Sequence, residues 1–385
     1  MRVNVTGPAC WPLLIGLVSL PALADVVTLE ELSAPEATPV AGVANIAADG
    51  TVVGTAYPDG HVLRWLAGAE PEDLGGDTFT LENVMPLISR DGSTIVAASY
   101  FYGNNPNAAP HAAPGIWQGG TSWAMITGLT LGDSTPVGIS ADGTYLVGAA
   151  YPKHPPHQSP SPLLPWIWSG AAGQLTLDTP NGSFSAQAWA VSSDGSTAAG
   201  FGDGGSTDET RFGVRWVGTT AFFITDSNSA KVGQAIACNL TCSVIVGAGI
   251  DVNIGGGSPQ AWRWSEIGGV EYLGTVAGVS DATYYAFDVS DDGARVVGSY
   301  SVIDPLLGPV NRGFIWSPAD GIQDASAFLA ANGIDYGAAF GELVVNSMTP
   351  DGRKLLINGL DENYTRRRAI IHIDPDSIFA NGFDL

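Results

Sequence analysis

The residues whose types and spacing could do chemistry are few. Five histidines occur, and three of them, His111, His154 and His157, lie in two proline-containing stretches at 103–114 and 151–160. Brought to one face they could hold a metal, but no carboxylate accompanies them in sequence, so exposed loops are the expected setting. A second set is acidic. Asp203, Asp208 and Glu209 share the segment Gly202-Asp-Gly-Gly-Ser-Thr-Asp-Glu209, and Asp251-Val-Asn253 precedes Gly255-Gly-Gly257. Hard oxygens in a flexible acidic segment suit calcium, the one cofactor the sequence suggests, although neither segment has the spacing of a twelve-residue calcium loop. The third feature is Cys238-Asn-Leu-Thr-Cys242. Three intervening residues fit a disulfide closing a small loop, whereas a redox pair usually has two and structural zinc wants four ligands. Gly-x-Ser-x-Gly, phosphate-loop and His-Glu-x-x-His motifs do not occur.

The elements that must position these groups form a repeat. Asp49, Asp91, Asp142, Asp194, Asp292 and Asp351 each precede a glycine in a Ser-x-Asp-Gly-like turn, and an apolar stretch such as Tyr145-Leu-Val-Gly148 or Arg295-Val-Val-Gly298 follows. The cysteine loop occupies the corresponding place between Asp194 and Asp292. Trp65, Trp117, Trp168, Trp216, Trp264 and Trp316 recur roughly every 50 residues, the period of a four-stranded repeat, and His372 stands where a seventh tryptophan would fall. Asp-Gly between apolar runs predicts a hairpin, because the aspartate bonds the backbone two residues on and glycine accepts a positive φ. A third strand then ends in the tryptophan, and a glycine turn leads to a fourth. The tryptophans and the residues two before them, including Leu63, Trp166, Trp262 and Phe314, are expected as core between sheets. The last repeat stops after its third strand, Ala369 to Ile373, and the free stretch Val26 to Leu32 can complete it, satisfying two edges at once. The expected fold is all-β, a seven-bladed β-propeller over residues 25–373, closed by an N-terminal strand that completes the last blade.

Composition agrees with such a chain: 50 Gly and 25 Pro supply turns, and 45% apolar residues supply a core. With 15 basic and 38 acidic residues the net charge is -23, which excludes a nucleic-acid partner, since phosphate binding needs clustered cations. Arg2, the apolar run Trp11 to Leu20 and Ala22-Leu-Ala24 predict an export signal over residues 1–24. No apolar run reaches the roughly 20 residues of a membrane-spanning helix, so the chain is expected secreted, at the cell surface or in the periplasm. The tail 374–385 is similar to Ile-Phe-x-x-Gly-Phe endings on some exported proteobacterial proteins, and it fits a sorting tag or a frayed terminus equally.

Gln260-Ala-Trp-Arg-Trp264, Arg312-Gly-Phe-Ile-Trp316 and Ala286-Phe-Asp-Val-Ser-Asp-Asp-Gly293 resemble the HAF-type extracellular repeat of exported bacterial proteins. That resemblance implies an exported repeat protein and no particular reaction. The leading functional expectation is a non-catalytic propeller that binds a protein, glycan or surface through loops at one rim. A polysaccharide hydrolase or lyase on the same scaffold, and a structural or adhesive surface component, are the alternatives.

Overall fold

The computed structural model describes residues 25–33, 40–56, 60–75, 85–101, 111–131, 134–151, 162–205, 208–250, 259–304, 308–335, 340–361 and 365–374. The predicted signal, the tail beyond Asp374, His154, His157 and Asp251 lie outside them. An N-terminal strand β1 (Val26–Glu31) precedes units that each run through four antiparallel strands. The first contains β2 (Val40–Ile46), β3 (Val52–Ala56), β4 (Val62–Trp65) and β5 (Glu72–Asp73). The second contains β6 (Leu87–Ile88), β7 (Ile95–Phe101), β8 (His111–Gly119) and β9 (Ser122–Met125). The third and fourth comprise β10 (Ser134–Ile139) to β13 (Gly173–Thr176), by way of β11 (Tyr145–Ala150) and β12 (Leu164–Ser169), then β14 (Ala186–Val191), β15 (Thr197–Gly205), β16 (Asp208–Val217) and β17 (Thr220–Phe223). The fifth contains β18 (Ala235–Cys238), β19 (Val244–Gly247), β20 (Trp262–Ser265) and β21 (Gly269–Tyr272). The sixth contains β22 (Thr283–Val289), β23 (Val296–Asp304), β24 (Gly308–Ser317) and β25 (Gly321–Asp324). The last contains β26 (Phe340–Met348), β27 (Lys354–Asp361) and β28 (Arg366–Asp374), and β1 is its fourth strand, with Val26 opposite Asp374 and Glu31 opposite Ala369.

The sheets resemble propeller blades, with two departures from the sequence expectation. A single parallel bridge, Arg312 opposite Leu343, joins the sixth and seventh units into one eight-stranded sheet. A short helix α1 (Ala325–Ala331) interrupts the all-β order: Asp324 caps it by accepting from the Ala327 amide at 2.8 Å, and Leu329 is buried. Alanine-rich sequence behind an N-cap aspartate suffices for two turns once Leu329 has a core to enter.

Each turn is a small hydrogen-bonded device. In the fourth unit Ser192 Oγ donates to Asp194 at 2.7 Å and accepts from the Thr197 amide at 3.0 Å, while Asp194 also takes the Ser196 amide at 3.0 Å. The same Ser-to-Asp bond recurs at Asp91, Asp142 and Asp292, and Thr349 makes it to Asp351. Ala47 lacks the hydroxyl, and the Asp49 carboxylate accepts from the amide and hydroxyl of Thr51. In the fifth unit Asn239 takes the serine's part, accepting from the Val244 amide at 3.0 Å, and Cys242 takes the glycine's, at φ 50°. The structure joins Cys242 to Cys238 across that turn.

The glycine that recurs within the second strand of five units has a steric cause. A Cβ on Gly148 or Gly298 would lie 1.9 Å from the carbonyl oxygen of Thr135 or Tyr285 on the first strand. Ala97 and Ile357 occupy this place in the second and seventh units.

Between units, apolar side chains interleave. Trp216 and Val214 pack with Val147 and Leu177, and Phe314 and Trp316 with Val246 and Leu273. Leu356 and Ile370 of the seventh unit join Val43, Leu63 and Trp65 of the first in one buried cluster. Trp117 and Trp264 are only partly buried; Arg64 and Arg215, each one residue before the preceding unit's tryptophan, stack on them at 4.4 and 4.8 Å, and Arg263 does the same to Trp316 at 4.9 Å. Cation–π contact and a packed stem thus cover what the sheet leaves open.

Candidate functional site

The innermost strand of each unit should alternate, yet in every unit but the second the described pairing slips just before the turn, and in the first and seventh it also slips nearer the strand's start. The register skips Ala44, Val137, Trp189, Ile236, Phe287 and Asn346, always three residues before the Ser, Asn, Thr or Ala that opens the turn. A β-bulge leaves one residue unpaired and turns its side chain away from the alternating pattern. All six of these residues line one cavity of about 330 Å³, to which the first strands of every unit contribute.

Charge enters the cavity at its turn end. Arg90, the second residue of its turn, reaches across to the carboxylate of Asp291 and donates to the Cys238 carbonyl at 3.0 Å, so one side chain ties the second, fifth and sixth units. Asp288 lines the cavity beside it. Its carboxylate accepts from the Val289 amide at 2.8 Å and from Ser347 Oγ and the Met348 amide, both at 2.9 Å. Burial pushes the Asp288 carboxyl above its ordinary value, against the pull of Arg90 and those three donors. Two carboxamides, Asn45 and Asn346, complete the polar side, and Ser347 Oγ lies 3.4 Å from Asn45 Oδ1.

A second cavity, about 410 Å³, shares Phe287 and Asn346 with the first and is lined by Tyr285, Ser299, Ser301, Asn311 and Val344. These residues lie farther from the turns, toward the face where second strands pass into third strands. On that face the hairpins of the fourth and sixth units are long.

The turn aspartates named from sequence sit at the opposite face, holding turns. The Ser192 hydroxyl first, then Ser196, hold Asp194 down to about 2. Ser290 and the Ala294 amide lower Asp292, and Thr144 lowers Asp142. For Asp91 and Asp351 burial is the largest influence and acts upward, but the hydroxyl and amide bonds together outweigh it. Trp65, Trp168, Trp216 and Trp316 lie buried between units. Asp203, named as a calcium ligand, accepts from the Phe184 and Ser185 amides at 2.6 and 2.9 Å and so pins the segment entering β14. Asp208 is paired with Gly205 in the hairpin, but its side chain and that of Glu209 lie outside the described residues, as does that of His111. Among the described residues no three His, Cys, Asp or Glu side chains converge on a metal position. His61 of the first unit meets Asp73 at 3.0 Å, and His372 of the seventh meets Glu30 on β1 at 2.9 Å.

Sequence reasoning missed the cavity and Arg90, Asp288 and Asp291. One signal was available: the second position of the turns carries opposite charges in just these units, Arg90 and Asp291, against Ala48, Ala141, Ser193, Leu240 and Pro350 elsewhere.

No family model and no curated protein matches the chain. Solved structures do. Streptogramin B lyase aligns over 90% of this chain and 98% of its own at 12% identity, TM-score 0.51. A prolyl endopeptidase aligns over 88% of this chain and 50% of its own at 10% identity, TM-score 0.51. TolB from Acinetobacter baumannii aligns over 88% of this chain at 12% identity, TM-score 0.40, and this chain spans 64% of it. The first two likenesses, at such identities, show the fold alone, a β-propeller scaffold.

Proposed function

We propose that this scaffold is an exported, non-catalytic, seven-bladed β-propeller of HAF-type repeats that binds a protein or carbohydrate partner on the face opposite the Ser-x-Asp-Gly turns. The observation that carries the binding face is hairpin length. The second and third strands have nine and ten residues in the fourth and sixth units, against five and four in the first. The extra length projects from one face of a rigid scaffold, as binding hairpins do, and Ile303 at the tip of the sixth unit's hairpin is 76% exposed.

Several contacts support closure of the seven units. The seventh and first share a buried cluster, and Lys354 Nζ donates to the Asp49 carbonyl at 3.1 Å. Turn amides bond onward from unit to unit, Ala48 to Arg90 O, Asp91 to Ala141 O, Ser193 to Leu240 O and Asp291 to Pro350 O. A disulfide in the fifth turn suits an oxidising compartment, in keeping with the signal-like residues 1–24. The non-catalytic part of the reading rests on the cavity's charges, whose bonds hold units together: Arg90 is engaged by Asp291, and Asp288 by three donors.

The test is a glycan-array screen of the purified chain beside a variant in which residues 303–309 are replaced by Asn-Gly. The reading expects binding by the parent, at least tenfold weaker binding by the variant, and no new reducing or unsaturated ends on the bound glycan. Release of such ends would establish the hydrolase or lyase alternative, and equal binding by the variant would remove the hairpin from the site. A parent that binds no glycan removes the carbohydrate partner from the reading.

A further inference from the structure

The axial cavity is amphipathic and its charges are spoken for. Val137, Trp189, Ile236 and Phe287 give it an apolar wall across the third to sixth units, and Asn45 and Asn346 face that wall from the first and seventh. At about 330 Å³ it falls within the roughly 300–1,000 Å³ of small-molecule sites. A charged ligand entering it would give up hydration without gaining a free counter-charge, because Arg90 is paired with Asp291 and Asp288 already accepts three bonds. Uncharged polar groups meet a different reception. The side-chain oxygen of Asn346 is buried without a hydrogen-bond partner among the described residues, so the carboxamide has bonding capacity unmet by the protein. Between the sixth and seventh units the second cavity shares Phe287 and Asn346 and carries Ser299, Ser301 and Asn311 toward the hairpin face. Arg90 spans the opposite end.

We propose that the axial cavity binds a small uncharged molecule with an aromatic or branched aliphatic body and one hydroxyl or amide edge, the body against Trp189 and Phe287 and the edge at Asn45 and Asn346. The ligand enters from the hairpin face. This site is separate from the partner surface proposed above and does not depend on it.

The test uses the purified chain with three neutral probes, indole, 2-naphthol and benzamide, and two charged relatives of the second, naphthalene-2-sulfonate and 2-naphthylmethylammonium, all at neutral pH. Titration calorimetry and ligand-observed saturation-transfer NMR give the affinities. At least one neutral probe is expected to bind saturably with one-to-one stoichiometry, at least tenfold more tightly than either ion. Ala44→Phe, which places a ring in the cavity from the first unit, should weaken that binding at least tenfold, and Asn346→Leu should weaken probes with a polar edge several-fold. Ile236→Trp fills the cavity from the opposite wall and replaces Ala44→Phe should that variant not fold, as judged by circular dichroism. Failure of all three neutral probes to bind saturably overturns the proposal, as does equal binding of the ions, or a folded cavity-filled variant that binds like the parent.

Discussion

Removing the hydroxyl of Ser192 isolates what the repeated turn contributes. Ser192 is 1% exposed and its oxygen serves two bonds at once, donating to Asp194 at 2.7 Å and accepting from the Thr197 amide at 3.0 Å. Ser192→Ala leaves that amide without its acceptor inside the turn, which costs about 1–3 kcal/mol, whereas the exposed carboxylate regains much of its loss from water. Ser196→Ala removes a 2.8 Å bond to the same carboxylate at an exposed position and should stay within about 0.5 kcal/mol. Urea unfolding followed by tryptophan fluorescence separates the two, with the slope on denaturant unchanged. The carboxylate supplies an independent reading. Asp194 is held down to about 2 from 3.8, so the native turn prefers the charged form. The stability it adds is fully present above 3.8 and is lost as pH falls through about 2. The gap between parent and Asp194→Asn should therefore be constant from pH 7 to about 5 and close toward pH 2. Comparing the two proteins at each pH cancels the other turn aspartates. A Ser192→Ala variant as stable as Ser196→Ala, or an Asp194→Asn gap that does not narrow in acid, would refute the reasoning.

Other expectations follow from single contacts. Gly298→Ala brings a methyl to 1.9 Å from the Tyr285 carbonyl and should destabilise by about 1–3 kcal/mol in the same urea assay, while Gly170→Ala, with nothing nearer than 3.9 Å, should be nearly neutral. Breaking the Cys238–Cys242 link as Cys238→Ala with Cys242→Ala should cost about 2 kcal/mol from loop closure, and Cys238→Val with Thr241→Asp and Cys242→Gly, which writes the common turn in its place, should recover most of it. Arg90→Ala removes the positive charge that draws the Asp288 carboxyl down. Carbon-detected NMR should find that carboxyl titrating at still higher pH, and since a carboxyl raised by folding weakens the native state as it ionises, the variant's deficit relative to the parent should grow as pH rises from 4 to 7.

The repeat was legible because its requirements are local. An Asp-Gly turn needs those two residues in that order, and the glycine within the second strand is needed because a first-strand carbonyl lies against it, so both recur in the chain and can be counted. The strand order followed from them, including the use of Val26 to Leu32 beside the last repeat. The bulges were not legible: one skipped residue in a seven-residue strand leaves the hydrophobic pattern nearly intact, and Phe287 or Ile236 reads as core whichever way it points. Asp288 and Arg90 were hidden for another reason. Their partners lie on other units, Ser347 for one and Asp291 for the other, and no spacing within a single repeat encodes that meeting. The helix α1 was missed because Ala325–Ala331 is too short for periodicity to separate it from a connection.

The pairing of β1 with β28 also sets a schedule for the chain's birth. Strand β1 finds its neighbour only when the strands between them have been made, since Val26 waits for Asp374. At about 5–20 residues per second that wait is on the order of half a minute. Through it β1 carries Val27 and Leu29, which pack on the core only once the seventh unit stands, so an early fragment presents an apolar strand with open edges. Guarding that strand falls to whatever accompanies the nascent chain, and a chain cut short before Arg366 never acquires the means to cover it.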